Sequence, residues 1–545
     1  MLGKGPVLYG PEPLGPIPDI SFGEVIYQHL LKKPKHQPAL IDGHSGEKIT
    51  YSELLKKSCW LSEALINSGY GSNVVIAISS KNSLQYFQPV IASLFIGAII
   101  VPLNPDYTNT ELNHVLEIFK PKIIFCSTDI LHQFINKKEE MNFIEKIILI
   151  DTDESSTGAE SLENFIVEHI NGSKKFSVFH TVDTRNQIAF LLCSSGTTGL
   201  PKGVMVMHHN LNTVFMQFRD SRIYEQDVTS ICVPPFYHAY GLFSTLMGIL
   251  TSGPTVFLRR FEGRVFLKSI EDYRVNRMYL VPPLLLYLGD CPFLKDYDLS
   301  SISEAICAAA PLKESTERTI KERLNLKVIK QAYGLTECTY SAVVNQNDGK
   351  EWKPGSCGKI LPYMQLAVMD RNTGQFLKPN ETGEICIKGD MIMKGYYDNP
   401  KATENAFTDN GWFLTGDGGY YDEEGYVYIT DRIKELLKYK GYQVAPAELE
   451  GVLLTHENIV DSAVVGVPDD KAGDLPLAFV VKKKGALLHA SDVQNFVQAE
   501  LSPPKWLRGG VVFVDEIPKS ASGKTLRKQL RSLLENNVVS IDNIY

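Results

Sequence analysis

The sequence predicts an α/β protein: a large N-terminal part built of layered βαβ units with a β-rich portion, then a small C-terminal α+β unit. Three observations predict it. Short β-branched runs alternate with helical patterns from Thr50 as far as Cys307, the pattern of parallel strands covered by helices on both faces. From Pro362 to Gly425 the texture changes to short strands, Gly turns and aromatics, which marks a β-rich subdomain of about 362–430. Near Asp431 it changes again, to a mixed unit of roughly 110 residues.

In chain order, a Pro/Gly-rich arm (Gly5 to Pro18) comes first. Thr50 and Glu53 then form a capping box opening a helix to about Ser68, with Leu54, Leu55, Leu61, Leu65 and Ile66 on its apolar side. Val74 to Ile78 reads as a buried strand, and Ile99 to Val101, Lys122 to Cys126 and Lys146 to Ile150 repeat the theme. Pro89 falls inside one of the intervening helical stretches, which argues against an unbroken helix there. The last unit is assembled from Ile433 to Tyr439, Ala447 to Leu454, Val464 to Val467, Ala478 to Lys482 and Ala490 to Leu501.

Composition narrows the function classes. The 545 residues are 44% apolar and 22% charged, with 55 basic against 63 acidic side chains and a net charge of −8. That argues against disorder, and no basic surplus points to nucleic acid or an anionic membrane. Nine dispersed cysteines without a CxxC pair read as reduced thiols rather than a disulfide framework or a zinc site. Neither a signal peptide nor a Ser-Lys-Leu tail is present. Val90 to Val101, about 12 residues between prolines, falls short of the ~20 that a membrane helix needs. A cytoplasmic monomer is the expectation.

The most informative segment is Ser194-Ser195-Gly196-Thr197-Thr198-Gly199-Leu200-Pro201-Lys202-Gly203, directly after the apolar run Ile188 to Cys193. Its hydroxyls and glycines leave backbone N–H groups available to wrap an anion, and Lys202 adds charge. It is not a Walker A loop, since Gly203 follows Lys202 where Ser or Thr is required; near Lys524, Pro518 stands in place of that motif's first glycine. Further on come Tyr333-Gly-Leu-Thr336-Glu337, Thr415-Gly-Asp417, Asp431-Arg432, Lys440-Gly441-Tyr-Gln-Val-Ala-Pro-Ala-Glu448 and Pro518-Lys-x-x-x-Gly-Lys524. In this order the set resembles the adenylate-forming superfamily of acyl- and aryl-CoA synthetases, peptide-synthetase adenylation domains and beetle luciferases. Insect luciferases and luciferase-like acyl-CoA synthetases of the 4-coumarate–CoA ligase kind resemble it most.

The resemblance implies αβαβα layering in an AMP-binding domain (1–431) and a mobile lid (432–545). It implies ATP, Mg²⁺ and CoA as reactants or cofactors, with O₂ instead of CoA for a luciferase, and a small carboxylic acid as substrate. Ser194 to Gly199 and Lys202 would cradle phosphates, Thr336 would contact them, and Glu337 would hold Mg²⁺. Ala309, Ala310 and Tyr333 would form the adenine slot, and Asp417 and Arg432 would bind the ribose. Lys524 would offset charge at the α-phosphate during adenylation, with His238 beside the acyl carboxylate; an ammonium on a flexible stem suits that task. After rotation about a hinge at Asp431, Lys438 and Gly441 would line the thiol's path. His208 and His209 read as a structural pair at a helix start.

The acyl pocket implied by the resemblance takes in Arg219, Tyr240, Ser244, Ala308, Ala309, Tyr340 and Ser341. Here the sequence departs from luminous beetle enzymes, which carry Gly-Gly-Ala at Ala308-Ala309-Ala310 and a small Ser-Ala pair where this chain reads Cys338-Thr339-Tyr340-Ser341-Ala342. Two added methyls and a tyrosine reshape a slot built for a flat bicyclic acid. Three outcomes stay open: a ligase joining fatty or aryl acids to CoA, a luciferase, and a non-catalytic nucleotide or acyl binder.

Overall fold

The structure, a computed structural model, describes residues 6–170, 177–180, 183–194, 201–310, 312, 314–347, 353–432, 435, 437–439, 442–469, 472–501, 503–520 and 523–535, the side chains at 315, 431, 432, 438, 442, 443 and 535 excepted. The β-branched runs assemble as expected. Val75–Ser79, Ile99–Leu103, Ile123–Cys126 and Lys146–Leu149 lie parallel in a seven-stranded sheet that also holds Ile188–Ser194. The one antiparallel neighbour is Lys202–Met207, which folds back on Ile188–Ser194 with Lys202 opposite Ser194. A nine-stranded sheet has the parallel run Pro38–Asp42, Thr255–Phe257, Ser230–Cys232, Arg277–Leu280, Glu304–Cys307 and Val328–Gly334 at its centre.

Thr50 and Glu53 do form a capping box on the helix Tyr51–Asn67. Pro89 proves compatible with its helix, Phe87–Phe95, because it stands in the first turn, where no intrahelical N–H is lost. That helix, His208–Phe218 and Ala239–Thr251 lie between the two sheets, sharing one core with Ile76, Ile100 and Phe190 of the first and Phe257 and Ile306 of the second. Asn109–Phe119 and His132–Glu140 cover the outer face of the first sheet, and Gly263–Tyr273, Pro282–Asp290 and Glu314–Arg323 that of the second. The layering is αβαβα. Each fully buried Leu, Ile or Phe contributes roughly 1.5–3 kcal/mol.

The β-rich part is a five-stranded antiparallel sheet of Val7–Tyr9, Met364–Met369, Gly383–Gly389, Phe413–Tyr421 and Val427–Arg432. The N-terminal arm thus supplies an edge strand, Val7 opposite Ala367, which its Pro/Gly content concealed. The last unit has Ile459–Asp469, Gly473–Lys482, Leu437–Tyr439 and Tyr442–Val444 antiparallel, with Gly510–Phe513 parallel to Gly473–Lys482. Helices Pro446–Leu453 and Ala490–Glu500 pack on it. No helix among the described residues is long and apolar enough to cross a membrane.

Candidate active site

The motif residues gather where the central strands end. Tyr333, in the last turn of strand Val328–Gly334, is buried and donates its hydroxyl to Asp417 Oδ2 at 2.7 Å. Burial and the Asp417 charge together hold that phenol well above its ordinary range, so it stays a donor. Asp417 is set by its own turn. Gly416, at φ 73°, gives its N–H to Glu384 Oε1 (3.0 Å), and the Asp417 N–H donates to Thr415 Oγ1 (3.1 Å). Glu384 is buried and ion-paired with Arg371 at 2.8 Å. Arg432 stands opposite Asp417 in the ladder. Across from them, Ala308-Ala309-Ala310 leaves strand Glu304–Cys307, and Ala309 adopts φ 77°. A left-handed alanine costs about 1–2 kcal/mol that glycine would not.

On the phosphate side, Ser194 is the buried end of its strand, and Ser195 to Gly199 lie outside the described residues. Lys202 opens the returning strand with its ammonium 4.9 Å above the ring of Tyr396. The Tyr396 hydroxyl in turn donates to Glu337 Oε1 at 2.9 Å. Gly203 is required by close approach: a Cβ there would stand 2.4 Å from Phe119. Thr336 and Glu337 sit in a single 3₁₀ turn, and Glu337 C=O accepts from Met393 N–H at 2.8 Å. One carboxylate with a neighbouring hydroxyl suits Mg²⁺, which combines one or two carboxylates with substrate phosphate oxygens instead of a full protein cage.

His238 stands at the N-cap position of the helix Ala239–Thr251 without a side-chain capping bond, and the helix's first turn rests on Pro234 and Pro235: a Cβ at Gly241 would lie 2.2 Å from the Pro235 carbonyl oxygen. The half-buried imidazole is pushed down to about 4, first by burial and second by the Lys524 ammonium. Lys524 belongs to the C-terminal unit, in a tight hairpin where Ser520 N–H donates to Lys524 C=O (2.8 Å) and Lys524 N–H to Ser520 Oγ (3.1 Å). Its neighbour Gly523, at φ 80°, abuts Val281 and Pro283 of the large part. The segment that carries Lys524 thus lies against the large part, and the lysine's charge acts on His238.

Beyond His238 lie the acyl-pocket candidates. Tyr240 donates to the Ile306 carbonyl at 2.8 Å, and Ser244 Oγ and Tyr340 Oη share a 2.7 Å hydrogen bond. The Tyr340 ring packs on Phe218 (centroids 5.4 Å apart) and Tyr240 (6.3 Å). Ala308 is buried in the same core, and Ser341, also buried, starts a strand opposite Gly334. Arg219 makes none of these contacts: it is exposed at the end of its helix, its guanidinium 5.6 Å from the centroid of the Phe215 ring. Lys438 is described only by its backbone, in the strand Leu437–Tyr439 of the C-terminal sheet, and Gly441 lies outside the described residues.

The model of the AMP-binding enzyme family matches residues 27–397, and that of the AMP-binding enzyme C-terminal domain matches residues 448–524. The chain belongs to the AMP-binding enzyme family. It is 42% identical over 539 residues to a luciferin 4-monooxygenase of Photuris pensylvanica, covering 97% of this chain and 98% of that protein. It is 34% identical over 506 residues to 4-coumarate-CoA ligase 1 of Narcissus pseudonarcissus, covering 91% of each. Among solved structures, MatB from Rhodopseudomonas palustris is similar at 28% identity over 94% of this chain and 99% of that one. Its TM-score is 0.85 in the ATP-bound form and 0.74 in the apo form.

Two side chains of this AMP-binding enzyme were not singled out by its sequence. Glu384 stands in an ordinary strand pattern, and nothing in its neighbours signals that its carboxylate fixes Gly416. Tyr396 did leave a trace, in the aromatic pair of Lys394-Gly-Tyr-Tyr-Asp-Asn-Pro400. Conversely, His208 and His209 prove structural. His208 Nδ1 accepts from Phe22 N–H at 3.0 Å, and His209 Nε2 pairs with Asp390 at 2.8 Å.

Proposed function

We propose that the enzyme activates a small carboxylic acid with ATP and passes the acyl group to CoA. In the first step a carboxylate oxygen attacks the α-phosphorus, the bond to pyrophosphate breaks, and an acyl-adenylate remains. In the second, the thiol sulfur attacks the acyl carbon, AMP departs, and one proton is released. The observation that supports this reading is the approach of the segment carrying Lys524 to the large part, with Gly523 against Val281 and Pro283 and the Lys524 charge acting on His238, alongside Asp417 and the turn Thr336–Glu337. Charge grows on phosphoryl oxygens as pyrophosphate leaves, and a fixed ammonium in a site shielded from water opposes it. Mg²⁺ held by Glu337 would neutralise the phosphates further. The rest of the site positions: Tyr333 and the Ala308–Ala310 turn take the base, Lys202 and the hydroxyl-rich segment before it the phosphates, and neutral His238 the acid.

Rotation of the C-terminal unit (432–545) about Asp431 then withdraws Lys524 and presents Lys438 and Gly441 to the thiol, a hinge-type change. The higher similarity to the ATP-bound neighbour than to its apo form supports reading the present arrangement as the adenylating one. A second reading, oxidation of the adenylate by O₂ with light emission, is favoured by the 42% identity to a luciferin 4-monooxygenase. Tyr340 and the methyls of Ala308 and Ala309 favour the ligase, because they occupy space that a flat bicyclic acid would need. Incubating the enzyme with ATP, Mg²⁺, CoA and a panel of fatty and aryl acids should yield AMP and thioester in equal amounts. AMP with light from a luciferin, and no thioester from any acid, would replace the first reading by the second; ATP consumption that never gives AMP would remove both.

A further inference from the structure

We propose that Tyr396 is a positioning residue that ties the cation Lys202 to the carboxylate Glu337, so that the phosphate-facing and metal-facing groups form one rigid unit. The proposal rests on the reading of Glu337 as the Mg²⁺ ligand. Three strands of evidence meet at this tyrosine. Its hydroxyl donates to Glu337 Oε1 at 2.9 Å. Its ring carries the Lys202 ammonium at 4.9 Å on its face, a cation–π contact. Its backbone is stitched to the strand that Lys202 opens: Val204 bridges Tyr396, Tyr397 N–H donates to Gly203 C=O at 2.7 Å, and Met205 N–H donates to Gly395 C=O at 3.0 Å.

The other end of the brace is equally fixed. Met393 N–H donates to Glu337 C=O, three residues before Tyr396, and Tyr396 N–H donates to Thr403 Oγ1 at 2.9 Å. The segment 393–397 therefore grips the Glu337 turn and the Lys202 strand by main chain, and Tyr396 alone adds a side-chain link to both. A carboxylate that ligates a metal works best when an outer hydrogen bond sets its orientation, and loss of such a partner typically costs 10–100-fold in metal affinity. The phenol fits that role toward Glu337, while its ring face holds Lys202 beside the same phosphates.

The two halves of the brace separate by mutation. Tyr396→Phe keeps the ring under Lys202 and removes the donor to Glu337; Tyr396→Leu removes both. Binding of ATP to the whole chain, without acid, is followed by calorimetry across a Mg²⁺ titration, with thermal melting to verify folding. Tyr396→Phe should raise the half-saturating Mg²⁺ by about 10-fold while ATP affinity at excess Mg²⁺ stays within about 2-fold of the parent. Tyr396→Leu should weaken ATP at every Mg²⁺ concentration. A Phe variant with the parent's Mg²⁺ dependence overturns the proposal, as does one that weakens ATP equally at low and excess Mg²⁺. Glu337→Gln serves as the reference: should it too leave the Mg²⁺ dependence unmoved, the reading of Glu337 fails, whereas a Gln effect with an unaffected Phe variant sinks the brace alone.

Discussion

At the scale of single residues, burial has converted polar groups into commitments about protonation. His208 lies fully buried and accepts the Phe22 N–H on Nδ1, so its ring is neutral in the folded state, and burial pushes it down to about 4. The unfolded chain titrates near 6.5. With the folded value depressed, unfolded His208 takes up a proton between pH 6.5 and 4 and the folded ring does not. Its stabilising effect is therefore complete above about pH 6.5 and lost as pH falls toward 4, roughly 2–3 kcal/mol by pH 4.5. Denaturant melts of the parent at pH 7 and pH 4.5, compared with His208→Asn, should show a flatter acid loss in the variant, whose amide oxygen can still accept from Phe22. An unchanged pH slope would mean that His208 does not report this proton. The sequence marked His208 and His209 as a structural pair, which is where both lie; the chain 186 residues away that buries His208 left no local trace.

At the scale of elements, the turn after Glu337 places Tyr340, one of the proposed acyl-pocket residues. Thr339 is held at φ 63° with its Oγ1 donating to the Met391 carbonyl at 2.8 Å, and Tyr340 N–H donates back to Cys338 C=O at 2.6 Å. A β-branched residue there is strained, by about 1–3 kcal/mol, and the next residue, Tyr340, bonds Ser244 and packs on the rings of Phe218 and Tyr240. Tyr340→Ala should open that space, raising kcat/KM for acids longer by about two methylenes roughly 10-fold relative to short ones, since each accommodated methylene adds roughly 0.8 kcal/mol. A length profile that keeps its shape in the variant would take Tyr340 out of the pocket. The elements themselves were largely legible, because parallel strands buried on both faces read as unbroken apolar runs. The Tyr340–Ser244 bond was not, although both residues were named, since it joins positions 96 apart on a helix and a turn. Arg219, carried over by resemblance, stands exposed over the ring of Phe215 at the end of its helix.

At the scale of the whole molecule, the two proposed half-reactions would share one acyl site. Gly523, next to Lys524, stands against Val281 and Pro283 of the large part, and the proposed rotation would have to break that contact. The two lysines proposed for the two steps belong to different elements of the same small unit, Lys524 beside the bridge of Lys519 with Thr525 and Lys438 in the strand Leu437–Tyr439. Lys524→Ala should cut adenylation, followed as acid-dependent pyrophosphate release, by about 10²–10³-fold, the usual loss of one electrostatic stabiliser. Thioester formation from supplied acyl-AMP and CoA should stay within a few-fold of the parent, because Lys524 is then turned away. Lys438→Ala should show the reverse bias, with pyrophosphate release kept and thioester formation slowed. Equal losses of both half-reactions in both variants would require one fixed arrangement for the entire reaction, and the small unit would then be a permanent wall of the site instead of a lid.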